Sequence, residues 1–186
     1  MASGGIDRRI ERTRETVRKA FIELLFERGY NDISIAEIAE RANVGRSTLY
    51  EHFEGKEDLL RQSLARPLGP LVGIVGGGAG PAEVTAFVSH MRENYKLARA
   101  MFAGPTRPAI VRALAELLEE PLGRVARTTP GCEPIVPLRL VALQLAEAQI
   151  GLVDHWLTSG LPCRADDVAE ALVATTQAMV TALLRG

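Results

Sequence analysis

The chain has 186 residues, 47% of them apolar and 5% aromatic, with a net charge of −1 and a mean hydropathy of +0.06. This suits a globular protein with one ample core or two small ones. Bulk charge does not announce a nucleic-acid protein, since residues 1–66 hold 12 Lys and Arg against 12 Asp and Glu.

Two cysteines, Cys132 and Cys163, lack metal-ligand spacing and have no sequence neighbours that would depress their pKa for oxidant sensing. The N-terminal MASGGIDRR has no apolar run of a secretory leader, and Gln144, Glu147 and Gln149 interrupt the longest apolar stretch. A reducing cytoplasm, no membrane span, no metal and no cofactor are therefore expected.

Met1 to Gly5 is expected to be disordered. From Ile6 to Arg28, the residues Val17, Ala20, Phe21, Leu24 and Leu25 recur at the spacing of one buried helical face, and Gly29 ends the helix. Arg8, Arg9, Arg12, Arg14, Arg18 and Lys19 make this arm mildly basic. It either runs along phosphates or is a solvated helix face.

Ser34 followed by Glu37 is a capping box, so a helix begins at Ile35, with Ile33 and Ile38 placed to close as a hydrophobic staple. Ile35, Ile38, Ala39 and Ala42 face inward. Asn43-Val44-Gly45 permits a stop and a turn, with Val44 plugging it from inside. A second short helix, Arg46 to Phe53, turns Leu49 and Phe53 inward and leaves Arg46, Ser47, Tyr50 and His52 outward. The pair describes a helix-turn-helix whose second helix suits a DNA major groove.

Gly29-Tyr30, Ser34-Ile35, Ile38-Ala39, Val44, Thr48-Leu49-Tyr50, His52-Phe53 and Lys56-Glu57-Asp58-Leu59 together resemble the DNA-binding domain of the TetR/AcrR family of bacterial transcriptional regulators. The resemblance covers about a third of the chain. Two departures stand out: Asn43 replaces the usual turn glycine, and Gly45 replaces the serine or threonine that usually caps the recognition helix. Asn suits the turn, and Gly is an acceptable cap at small cost. Glu51 repels phosphate unless it accepts from a cytosine amino group. The resemblance implies Ser34, Arg46, Ser47, Thr48, Tyr50, His52 and Lys56 as DNA contacts, with Ser34, Tyr50 and Lys56 on phosphates.

A connecting helix follows over 56–66, with Leu59, Leu60 and Leu64 inward, and closes a DNA-binding domain of residues 1–66. The Gly/Pro-rich stretch 67–81 reads as a loop or mobile junction. Residues 82–103 resume a helical pattern, and Pro105 and Pro108 start another helix, which Pro121 kinks or splits. Thr128 to Pro137 reads as a loop. Two long helices end the chain: Leu138 to Leu157, apolar on nearly every side and so buried all round, and Asp166 to Leu184, whose second face is Ala171, Ala174, Ala178 and Ala182.

The fold class expected is all-α: an N-terminal three-helix helix-turn-helix domain plus a helical domain over 82–186 for effector binding and dimerisation. The resemblance implies a homodimer through the last two helices, reading a pseudo-palindromic operator in double-stranded DNA. It also implies a small-molecule effector, of a kind the sequence does not name, between the C-terminal helices. Polar residues in those helices, His90, Asn94, Asp154, His155, Trp156 and above all Tyr95, Gln144 and Glu147, are the lining candidates.

No hydrolase elbow, phosphate loop, zinc-protease or dinucleotide motif appears, and Asp154-His155 reads as a helix-surface pair, so an enzyme is not expected. The expected function is a repressor released by effector. The competing reading is a helical dimer with an architectural or chromosome-organising role on DNA.

Overall fold

The computed structural model of the chain describes residues 3–131 and 133–185, and of residues 3–7 and 185 only the backbone. Among them the fold is all-α: ten helices and one pair of two-residue strands. The chain divides into two compact units, Met1–Ser63 and Leu64–Gly186. No helix among the described residues is long and apolar enough to cross a membrane.

In the first unit α1 spans Ser3–Arg28, and a 3-10 turn, Tyr30–Asp32, leads into α2 (Ile35–Arg41), α3 (Arg46–His52) and α4 (Lys56–Ala65). Helix α1 packs on α2, and α2 on α3. Val17, Phe21, Leu24, Leu25, Ile33, Ile38, Leu49 and Phe53 are buried, as the apolar spacing predicts, while Val44 is only half-buried. Helix α1 starts earlier than expected: Ser3–Gly5 are helical, because each residue added to an existing helix gains a hydrogen bond without a new nucleation cost. Met1 and Ala2, the rest of the stretch expected to be disordered, lie outside the described residues.

The second unit holds α5 (Gly69–Val75), α6 (Pro81–Glu93), α7 (Tyr95–Phe102), α8 (Arg107–Thr128), α9 (Leu138–Ser159) and α10 (Ala165–Leu183). Strand β1 (Glu133–Pro134), inside what reads in the sequence as a plain loop, pairs antiparallel with β2 (Leu184–Arg185), whose Leu184 reads in the sequence as the end of the last helix. Helix α8 packs along α9, α10 lies against α6 and α9, and α5 fits between α8 and α10.

Four of the sequence readings are corrected or sharpened here. The stretch 67–81 is not a simple loop, since α5 buries Leu71, Ile74 and Val75. Pro70 sits in its first turn, where no amide is needed. Gly73 admits the returning chain: its carbonyl accepts from Gly78 N at 2.9 Å and Ala79 N at 3.2 Å, and a Cβ there would stand 2.8 Å from Ala79 Cβ.

The pattern over 82–103 is two helices, broken at Asn94, whose side-chain amide caps the first by donating to His90 O at 3.0 Å. Helix α8 is not split at Pro121 but runs through it. Helix α9 is not buried all round, because Leu140, Leu143, Gln144, Glu147 and Ala148 are exposed along one face.

Candidate nucleic-acid interface

The helix-turn-helix is built as its local signals specify. The Ser34 hydroxyl accepts from the Glu37 amide at 3.3 Å, and the Glu37 carboxylate accepts from the Ser34 amide at 2.8 Å and from its hydroxyl at 2.7 Å. Together these fix the first residue of α2. The Glu37 carboxyl is held below the usual glutamate range, first by the Ser34 hydroxyl, then by the Ser34 amide and the Arg28 guanidinium. Asn43 takes a left-handed φ of 52°, which Asn tolerates through its short polar side chain. The turn closes with Val44 N donating to Ala39 O at 3.0 Å.

Gly45 then caps α3 in an extended conformation with no side-chain bond. Leu49 and Phe53 are buried and anchor α3 from below. Arg46 and Tyr50, one helical turn apart, share the outer face. Tyr50 is 57% exposed. Ser47 and Glu51 are exposed beside them, and Thr48 and His52 are half-buried on the flank. Among the described residues no carboxylate pairs with Arg46. The outer face of α3 therefore offers a guanidinium, a phenol and hydroxyls whose hydrogen-bonding capacity the head does not spend on itself.

Two of the expected contacts also bond within the head. The Ser34 hydroxyl is committed to the capping box. Lys56 is half-buried, and its Nζ donates to Tyr30 O and to Ile33 O, each at 2.9 Å, over the Tyr30 ring at 4.4 Å.

Sequence reasoning missed Arg28 and Arg41. Arg28 Nη1 donates to Glu37 Oε1 at 2.5 Å, adding a strut from α1 to the capping box, and Arg41 grips Glu27 of α1. Both pairs join residues too far apart in the chain for helical spacing to expose them. The basic stretch of α1 is likewise partly committed, with Arg18 paired to Glu11.

In the second unit the lining candidates are spread between surface and interior: His155 is exposed, while Asp154 is half-buried and its Oδ1 is buried with no partner among the described residues. Tyr95 is 38% exposed at the start of α7. Gln144 and Glu147 lie on the exposed face of α9, and Glu147 accepts from Arg107 at 2.5 Å. His90 and Asn94 bond each other at 3.2 Å, and Trp156 Nε1 donates to Cys163 O at 3.1 Å. The polar residue buried on α9 is instead Gln149, whose Nε2 donates to Leu71 O at 3.2 Å and Thr176 Oγ1 at 3.1 Å. Its Oε1 has no partner among the described residues. Cys163 is free and exposed, and Cys132 lies outside the described residues. Among the described residues no group of His, Cys, Asp and Glu is placed to hold a metal ion.

Residues 18–62 match the family described as bacterial regulatory proteins, tetR family. Over 165 residues the chain is 26% identical to the HTH-type transcriptional activator FasR of Mycolicibacterium smegmatis, a match taking in 81% of this chain and 75% of that protein. It is 40% identical over 68 residues to the uncharacterized HTH-type transcriptional regulator YxbF of Bacillus subtilis. That stretch is 36% of this chain and spans only 18% of YxbF. Among solved structures, a TetR transcriptional regulator from Streptococcus agalactiae superposes with a TM-score of 0.56 at 22% identity, over 94% of this chain and 98% of that one.

Proposed function

We propose that this chain, which belongs to the TetR family of bacterial regulatory proteins, is a repressor that reads a pseudo-palindromic operator and leaves it when a small molecule binds the second unit. The observation that carries the reading is the outer face of α3. Arg46 and Tyr50 stand exposed on a helix anchored by Leu49 and Phe53, in a family of transcriptional regulators. Arg46 suits a guanine edge, an interaction worth about 1–3 kcal/mol of base discrimination. Ser47, Thr48 and His52 complete the base-facing set, with Tyr50 and the Ser34 turn beside the phosphates.

A homodimer through α9 and α10 accounts for the apolar surface that a single chain leaves in water. Leu140 is 53% exposed and Leu143 39%, and Ala174, Ala178 and Ala182 are exposed on α10. Gln144 and Glu147 share the α9 face with the two leucines, so we assign them to that interface rather than to the effector. Gln149 and Asp154 are the stronger candidates for the effector's polar anchor, because each holds a buried oxygen that is an acceptor awaiting a donor. Tyr95 remains a candidate for the rim. Helix α4 carries the message, since the division between the two units falls within it, after Ser63. Linkage then requires effector and operator to weaken each other by the same factor.

Footprinting of the DNA flanking the chain's own gene tests the reading. The expected result is a protected stretch with two half-sites separated by about one helical turn or a multiple of it. Uniform weak protection along the whole fragment contradicts an operator and favours the architectural role. Similarity to a protein named an activator favours one second reading, in which the bound regulator recruits transcription. A reporter driven by the footprinted promoter separates the two: deleting the regulator raises expression under repression and lowers it under activation.

A further inference from the structure

We infer that Lys56 is a positioning residue of the DNA-binding head, closing the α2–turn–α3 segment into a ring, and that it is not a phosphate ligand. The inference rests on the proposed DNA-binding role.

Lys56 is the first residue of α4, where a cation opposes the positive end of the helix dipole, and Glu57 and Asp58 follow it as the compensating charges. The ammonium is spent inside the head. It carries three protons, and two are directed at the carbonyls of Tyr30 and Ile33, each at 2.9 Å. Beneath it lies the face of the buried Tyr30 ring, with the centroid at 4.4 Å, an arrangement that favours a cation withdrawn from water. A phosphate arriving from DNA would find at most one free donor on a half-buried group, while Arg46 is exposed on α3.

The partners give the contact its meaning. Ile33 is extended and directly precedes Ser34, the cap of α2, whereas Lys56 opens α4. The bond from Lys56 to Ile33 joins positions 23 apart in the chain and closes over α2, the Asn43 turn and α3. Pinning both ends of this segment limits how far α3 can rotate or slide, and so fixes where Arg46 and Tyr50 point. Charge-assisted bonds to two carbonyls offset a loop-closure cost that grows only slowly with length.

The two roles differ in what DNA binding measures. The full-length protein, Lys56→Met and Lys56→Gln are titrated against duplex from beside the gene and against scrambled duplex. Several salt concentrations are used, at a temperature where circular dichroism shows all three folded. For Lys56→Met the expected result is at least about a tenfold loss on the native duplex, a loss below about twofold on the scrambled one, and an unchanged salt slope. Lys56→Gln, whose amide still donates to the carbonyls, is expected to keep most of the discrimination although it is equally uncharged.

A phosphate ligand would instead lose affinity for both duplexes alike in both variants, with the slope reduced by about one. That outcome overturns the inference, as does an unchanged ratio with an unchanged slope. Should Lys56→Met fail to fold, the Gln variant carries the comparison alone. The clamp also has a test without DNA: a ¹⁵N spectrum of the free protein should contain a slowly exchanging lysine ammonium signal that vanishes in Lys56→Gln. Absence of that signal overturns the clamp. If the unaltered protein fails to discriminate between the duplexes, the operator reading fails while the ammonium signal still decides the clamp.

Discussion

The Arg41 guanidinium holds the Glu27 carboxylate by two bonds, 2.9 Å from Nη1 to Oε1 and 2.8 Å from Nη2 to Oε2, and so fastens α2 to α1. Bidentate geometry makes it the strongest type of ion pair, although half-exposure and salt both weaken it. The hydrogen bond from Arg41 holds the Glu27 carboxyl below its ordinary value of 4.5. A carboxyl depressed on folding contributes stability above its unfolded value and loses it as pH falls through the folded one. Melting curves of the protein and of Glu27→Gln should therefore differ at pH 6–7, and the gap should shrink as pH falls below 4.5 through the depressed folded value. A gap that persists undiminished at acid pH would show that the pair contributes nothing.

Gly45 caps α3 without a side chain, and a Cβ there would meet only the Ser47 and Thr48 hydroxyls, at 3.6 and 3.7 Å. Gly45→Ser is expected to stabilise the head by about 0.3–1 kcal/mol through a cap bond and a stiffer unfolded chain. Urea unfolding checks it. The neighbouring Asn43→Ala should destabilise by about 1–2 kcal/mol, because its left-handed φ suits alanine poorly.

Gly73→Ala is expected to cost about 1–3 kcal/mol by forcing apart α5 and the chain at Ala79. Gly76→Ala is the control, since its Cβ would meet nothing within 4 Å. Equal stabilities for the two variants would remove the close approach as the reason for a glycine at 73.

Gln149→Leu should destabilise by about 1–3 kcal/mol, because it removes the two bonds that the buried amide donates, to the Leu71 carbonyl and to the Thr176 hydroxyl. Thr176→Val in addition is expected to add little, as the hydroxyl has already lost its donor. Chemical denaturation of the four proteins of this cycle measures the coupling. Strictly additive losses would contradict the network.

What the sequence made legible was local. The Ser34–Glu37 box, the left-handed Asn43 and the inward pair Leu49 and Phe53 each declare themselves within one or two helical turns. The failures share long range or ambiguity. Gly73 reads as a helix breaker until Ala79 is seen against it, and Asn94 interrupts an apolar rhythm that Met91, Ala98 and Phe102 continue across the break. The bonds of Lys56 to Tyr30 and Ile33 are equally hidden in the sequence, since both partners lie before α2 and no spacing rule reaches them. On α9 the apolar composition conceals which face stays exposed, because leucines suit a core and an interface equally.

Fluorescence anisotropy tests the central claim most directly: the protein and Tyr50→Ala are titrated, at two salt concentrations, against duplex from beside the gene and against a scrambled duplex. Native-duplex binding at least about a hundredfold tighter than scrambled is expected, beyond phosphate attraction alone, with Tyr50→Ala weakening it. Equal affinity for both duplexes, abolished together by salt, would mean that only phosphates are felt and would contradict a sequence-reading α3.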